Sequence, residues 1–295
     1  MPGARVSKVI ESSEGGRVTV PRSARQAVET DRLLGLTDVW VRSAQGGDAH
    51  AEDSSGPASH GRQRASSSDP RPSVTGTLEV GVPQAHGHAA VIAIPEGGSA
   101  SDRLMALRAL HDERCPHCTT ATGHTQTVFG EGNPAARLVF VGEAPGETED
   151  QLGRPFVGRA GQKLDEMIKA MGLSRDDVYI ANVLKSRPPD NRTPLPTEVE
   201  RCAPYLAAQL RIIRPEAIVS LGGPATKFLL GVDTGITKLR GQWASWTPQG
   251  DSQGQPIPVM PTYHPAYLLR NYTPKTRGEV WSDLKQVMDR LRRRA

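Results

Sequence analysis

Three cysteines in 295 residues are too few for the disulfide framework of a secreted scaffold. Aromatic side chains are scarce, at 4% of the chain, and almost missing from the first hundred residues. That region is dominated by Ser, Gly, Ala, Pro and scattered charge, as in SAQGGDAHAEDSSGPASHGRQRASSSDPRPS. Such a composition buries too little apolar surface to offset its ordering entropy. Residues 1–100 are therefore expected to form a low-complexity, largely disordered tail, above all from about 43 onward, although VTVPRSARQAVETDRLLGLTDVWV has the pattern of a short helix and a strand. No run of roughly 18 apolar residues is present to span a bilayer, and MPGARVSKVIESSEGG lacks the apolar core of a secretory signal. The expectation is a soluble, cytoplasmic protein with no membrane partner. Neither GxxxxGK[ST] nor GxGxxG occurs, which removes the familiar phosphate loops.

Charge is uneven. Residues 1–100 carry 10 Lys/Arg against 11 Asp/Glu, and the remainder 26 against 21. A mildly basic folded part permits a nucleic-acid partner without demanding one. The ending DRLRRRA reads as a solvated helix end.

From Arg137 onward, short apolar runs alternate with helical patterns, the signature of strand-helix-strand units. The predicted strands are RLVFV, DVYIAN, EAIVSL and PVMPTY. Leu164, Met167, Ile168 and Met171 recur at helical spacing and stop at Gly172. A second helix, TEVERCAPYLAAQLRIIR, takes Thr197 as its expected N-cap; a third is PATKFLLG; the last carries a stripe of Val280, Trp281, Leu284, Val287, Met288 and Leu291. The fold class expected for residues 101–295 is α/β, a three-layer α/β/α sandwich around a mostly parallel four-stranded sheet.

Each predicted strand is followed by a polar or glycine-rich segment: GEAPG, Asn182, GGPATK and HPAYLLR. In a parallel sheet those ends share one edge, where ligands bind. The segment VGEAPGETEDQLGRPFVGRAG, Val141–Gly161, holds five glycines, two prolines and four carboxylates around a single Phe156. Its glycines let backbone approach a ligand closely.

Several ordered blocks together carry a specific resemblance: CPHC, GEAPGETEDQLGRPFVGRAG, NVLKSRPPDNRTPLPTEVERC, LGGPATKFLL, KLRGQW and PTYHPAYLLRN. Over residues 101–293 the chain resembles the family 4 uracil-DNA glycosylases, the thermostable iron-sulfur type. The resemblance implies a monomeric enzyme that hydrolyses the N-glycosidic bond of uracil in single- or double-stranded DNA, leaving an abasic site for base-excision repair near the nucleoid. Such an enzyme extrudes its nucleotide from the stack. Phe156 is then the wall of the base pocket, and Asn182 the carboxamide that matches uracil N3–H and O4. His264 is the donor to uracil O2, and Ala144 and Gly146 are small so that backbone can approach the base. Asn191 holds either the loop or the catalytic water. Glu143 is the favoured carboxylate for the water or the sugar cation; Glu149 and Asp150 compete with it, and Glu149 could instead crowd out the thymine methyl. These carboxylates also have the placement of helix-start residues complementing a dipole. Leu268 or Leu269 supplies the wedge that fills the vacated stack, with Arg270, Lys275 and Arg277 on phosphates. KLRGQW is either a second DNA-contacting loop or a plain turn packing Trp243.

The resemblance also implies a [4Fe-4S] cluster. Cys115, Cys118 and Cys202 match three of its ligands, but the fourth position is Ser186, a harder and less favoured iron ligand. Either the cluster persists with Ser186, water or a histidine such as His117 completing it, or it is labile, or it is lost; its role would be structural. Two rivals stand beside the enzyme reading. One is a non-catalytic or covalently trapping uracil-DNA-binding relative, which would carry a basic insertion ending in RRIH that is missing from KSRPPDNRTP. The other is a nucleic-acid-binding appendage of a replication protein, which would not need Glu143, Asn182 and His264 together.

Overall fold

Strands that read as unbroken apolar runs are strands covered on both faces. The computed structural model describes residues 91–248 and 255–293, so the reading of residues 1–90 lies outside the described residues. The strands are β1 (Glu131–Gly132), β2 (Leu138–Gly142), β3 (Tyr179–Asn182), β4 (Ala217–Leu221), β5 (Ala244–Trp246) and β6 (Ile257–Thr262). Every residue of β2, β3 and β4 is buried. The sheet order is β1-β3-β2-β4-β6-β5.

The four predicted strands form the parallel centre, β3-β2-β4-β6. Antiparallel β1 and β5 extend it at either edge, giving six strands instead of four. At two and three residues they are too short to leave a periodic signal in the sequence.

The helices are α1 (Ala100–Arg114), α2 (Glu147–Leu152), α3 (Arg159–Ala170), α4 (Pro196–Ile213), α5 (Gly223–Leu230), α6 (Ile236–Leu239), α7 (Pro265–Arg270) and α8 (Pro274–Arg293). One apolar core joins α1, α4 and α5 to the sheet, and a second joins α3, α7 and α8 to its other face. The predicted stripe on the last helix faces that second core, with Met288 and Leu291 at its half-buried margin. Ile92 and Ile94, ahead of the boundary expected at 101, pack against the first core. The carbonyl of Ile92 accepts from Arg211 at 3.4 Å.

Thr197 is not the cap of α4. The helix starts one residue earlier, with Pro196 at its first position, and the Glu198 carboxylate accepts from the Leu195 amide at 2.7 Å. Arg192 pairs with the same carboxylate, which lies well below the usual range, near 2: the Arg192 hydrogen bond outweighs the opposing desolvation.

Where α6 ends, ahead of β5, the KLRGQW turn is pinned inward. Arg240 pairs with the fully buried Asp283 of α8 through two nitrogens, and Thr262 donates to the same carboxylate at 2.7 Å. Trp243 packs against the second core beneath Arg290, 5.2 Å from its ring centre. Of the two readings of this segment, the structure has the packed turn. No helix among the described residues is long and apolar enough to cross a membrane.

Removing one partner of a buried ion pair leaves an uncompensated charge. Asp283→Ala should therefore lower stability by about 3–5 kcal/mol in chemical denaturation, whereas Arg292→Ala, at the exposed end of the same helix, should change it by less than about 0.5 kcal/mol.

Candidate active site

The register of the parallel strands sets Gly142 beside Asn182, and Leu221 beside Thr262. The segments that leave the four central strands thus emerge along one edge. They enclose a cavity of about 550 Å³. Glu143, Ala144, Gly146 and Glu149 line it from the first segment, with Phe156 from the loop that follows. Asn182, Asn191, His264 and Arg270 complete the predicted set. Nine of the sequence-predicted residues thus meet at one pocket.

Asn182 is 1% exposed, and its side-chain Oδ1 is buried with no hydrogen-bond partner in the protein. A buried carboxamide left unpaired costs about 1–3 kcal/mol, so this atom is built for a ligand. Its main-chain carbonyl is held by Lys185 Nζ at 2.8 Å. A Cβ added to Gly142 would lie 2.3 Å from Asn182 Oδ1 and 2.4 Å from Phe156 Cζ. Gly142 was not singled out in the sequence, yet both pocket walls rest against it.

Phe156 is 5% exposed and takes a φ of 51°, a left-handed conformation that aromatic residues seldom adopt. Three contacts impose it. The Glu149 carboxylate accepts from the Val157 and Gly158 amides at 2.9 and 2.8 Å. Arg175 donates to the Pro155 and Phe156 carbonyls at 2.7 and 3.0 Å, while pairing with Glu131 and Asp165. At Gly161 a Cβ would sit 1.9 Å from the Phe156 carbonyl oxygen, so only glycine fits under this turn. Glu149 is thus a brace of the loop that also borders the cavity. Arg175 is a positioning residue that carried no sequence signal. Asp150 is removed from the pocket, because its carboxylate accepts from the Thr125 and Gln126 amides.

His264 precedes α7, and its Nδ1 accepts from the Ala266 amide at 3.1 Å. The ring proton must then sit on Nε2. Burial, reinforced by the charge of Arg270, lowers its pKa to about 4 against the opposing effect of Glu149, so the imidazole is neutral near pH 7. Its ring lies 5.6 Å from that of Phe156, tilted by 35°. Glu143 is half-buried, and burial raises its pKa above 4.5. Asn191 is exposed and accepts from Arg187 at 2.8 Å, a loop-holding contact.

Outside the cavity, Leu269 is 37% exposed but Leu268 only 1%, packed in the second core. Leu268 cannot leave that core to enter a duplex, so of the two wedge candidates only Leu269 remains. Lys275 is exposed, and Arg277 lies over the ring of exposed Tyr272 at 4.8 Å.

A second group of chemistry-bearing residues is fully separate from this pocket's lining. His111, Cys115, Cys118 and Cys202 are buried, and their donor atoms all lie within 4.8 Å of one another. This is a site that can hold a metal ion. Ser186 is adjacent, its Oγ 3.4 Å from Cys118 Sγ, but the fourth donor of the group is His111, and His117 is not among them. His111 stands one helical turn before Cys115, a spacing visible in HDERC once the turn of α1 is known to reach it.

Fold and pocket together define an α/β-sandwich protein whose cavity sets a buried carboxamide beside an aromatic wall and a neutral histidine. Comparison narrows the class. Residues 129–285 match the family model of the uracil DNA glycosylase superfamily. The type-4 uracil-DNA glycosylase of Thermotoga maritima is 45% identical over 187 residues, 63% of this chain and 94% of that protein. Those of Archaeoglobus fulgidus and Sulfurisphaera tokodaii are 45% and 46% identical, over 59% of this chain and 86% and 79% of theirs. The chain belongs to the uracil DNA glycosylase superfamily, among its type-4 members.

Because Gly142 underlies both Asn182 and Phe156, Gly142→Ala should weaken binding of free uracil by about tenfold or more. Calorimetric titration checks this, with far-ultraviolet circular dichroism showing the fold intact.

Proposed function

We propose that this chain is a monofunctional uracil-DNA glycosylase: water replaces uracil at C1′ of a deoxyuridine in DNA, releasing the base and leaving an abasic site. The observation that carries the reading is the buried, unpartnered Oδ1 of Asn182 at the same cavity as Phe156 and His264. Uracil offers an N3–H donor beside the O4 acceptor; cytosine reverses both. A carboxamide held by its own backbone meets the first pattern and leaves unpaired groups with the second, which is how a polar site discriminates strongly.

As the N1–C1′ bond breaks, negative charge grows on the uracil ring and positive character on the sugar. His264 donates from Nε2 to O2 as that charge develops, and it does so as a neutral imidazole. Glu143, with burial opposing its ionisation, holds the attacking water on the sugar side or faces the sugar cation. Phe156 stacks on the extruded base, and Leu269 fills the gap left in the DNA. Arg270 and Lys275 contact phosphates, with Arg277 and Tyr272 beside them. The substrate is uracil-containing DNA and the catalytic unit a monomer in the cytoplasm. The His/Cys centre has a structural role, and no step of the reaction passes through it. The [4Fe-4S] identity implied by the resemblance meets two obstacles, Ser186 in place of the fourth cysteine and donor atoms all within 4.8 Å of one another, a spacing tight for four irons.

A gel assay on a uracil-containing oligonucleotide tests this reading. Asn182→Ala should lose excision by about 10²-fold or more; activity within a few-fold of the parent, with the fold intact, removes Asn182 from the site. Activity should also follow pH in a defined order. Glu143 must be ionised, so single-turnover rates should fall with decreasing pH through a midpoint above 4.5. His264 protonates only at about 4, placing its limb lower. Glu143→Gln should be slower and should lose the upper limb alone.

A further inference from the structure

The buried His/Cys group has the dimensions of a site for one ion. Four thiolates around a cubane of four irons stand about 6 Å apart, because each binds a different corner. Four donors on one tetrahedral zinc, with Zn–S near 2.3 Å and Zn–N near 2.0 Å, stand only about 3.7 Å apart. Here Cys118 Sγ and Cys202 Sγ are 3.6 Å apart, and no pair of the four donors exceeds 4.8 Å.

The histidine is prepared as a ligand. Its Nδ1 lies 2.8 Å from Asp112 Oδ1, and that oxygen also accepts from Thr127 Oγ1 at 2.8 Å. A carboxylate only accepts, so Nδ1 carries the proton and Nε2 presents its lone pair. Nε2 is buried and has no hydrogen-bond partner, on a residue with no exposed surface. A carboxylate orienting a histidine from behind is the recurrent support of a zinc ligand. The sulfurs are supported too. The Cys118 amide lies 3.5 Å from Cys115 Sγ, the Lys185 amide 3.2 Å from Cys202 Sγ, and the Ser186 hydroxyl 3.4 Å from Cys118 Sγ. Here the Cys118 thiol donates to Ser186 Oγ; with Cys118 deprotonated on a metal, the same contact reverses and the Ser186 hydroxyl donates to the thiolate. The charge of three thiolates on a divalent ion is −1, and the buried Lys185 ammonium lies alongside.

We propose that Cys115, Cys118, Cys202 and His111 hold a single structural zinc ion at this position, in place of a four-iron cluster. The site ties the end of α1 and the Cys115–Cys118 turn to α4. It stands independently of the excision reading, since none of the four residues borders the uracil pocket.

The test uses the full chain, purified without oxygen from cells supplied with both iron and zinc. Metal and acid-labile sulfide analysis should give roughly one zinc per chain and no sulfide. Iron in place of zinc, or no metal, overturns the proposal. Zinc-edge X-ray absorption should fit three sulfur neighbours and one nitrogen; four sulfurs, or two of each, overturns the assignment of His111. Ser186→Ala should retain its zinc, and loss of the metal there would return the fourth position to Ser186. His111→Ala should lose zinc to a competing chelator at least about tenfold more readily, and unchanged competition would exclude His111.

Discussion

The pocket depends on one close approach, that of Gly142 to Asn182. The parallel register places these two residues side by side at the ends of β2 and β3, and the missing side chain at 142 is what lets the carboxamide and the edge of Phe156 occupy the space between the strands. The remaining walls follow from the same geometry. β4 and β6 run parallel to β2, so the turn at Gly222 and the residue His264 emerge at the same edge. A chain with these side chains in another register would scatter them, because each shift by one residue reverses the face a side chain takes. The brace from Glu149 and Arg175 then does for the aromatic wall what the register does for the carboxamide, fixing it in a backbone conformation it would not adopt alone.

Much of this was legible because it is written in short-range patterns. Central strands of a parallel sheet are apolar runs, and their following segments are marked by glycine, proline and isolated polar residues, so the sequence alone places the ligand edge. The motif blocks that carry the family resemblance named Phe156, Asn182 and His264, and all three border the cavity. What escaped the sequence is long-range. Arg175 reaches back 19 and 20 residues to the carbonyls it holds, and nothing in RDDVYI marks it as part of a loop it does not adjoin. β1 and β5 exist only because a neighbour supplies their hydrogen bonds. Leu268 and Leu269 are adjacent and equally apolar, and only the packing of α7 on the second core decides which one faces outward. The proposed fourth metal ligand has the same origin: the pattern points to Ser186, while the fold sets His111, from the last turn of α1, among the three cysteines.

Pocket and metal centre are separate in their chemistry and joined in their mechanics. Lys185 is fully buried between them. Its amide lies against Cys202 Sγ, and its ammonium reaches the Asn182 carbonyl at 2.8 Å and Gln209 Oε1 at 2.6 Å. Burial lowers its pKa to about 8, while the three cysteine sulfurs favour its charged form. Gln209 continues the chain of contacts, donating to the Phe129 carbonyl and the Tyr179 hydroxyl. The backbone that carries the carboxamide is therefore held from behind by a charged group whose own position is fixed at the metal centre.

This linkage does not depend on which residue supplies the fourth ligand of the centre. What the pocket takes from it is a rigid crosslink between α1, the Cys115–Cys118 turn and α4, together with negative charge near Lys185. Neither requirement involves electron transfer, and neither specifies sulfur at the fourth corner. In the proposed zinc site an imidazole held by Asp112 completes the tetrahedron and leaves one negative charge fewer than a fourth thiolate to be balanced in the core, where every uncompensated charge is costly. Serine at 186 is then free to act through its hydroxyl on Cys118, and the position that departs from the family pattern becomes a support for the site rather than a gap in it.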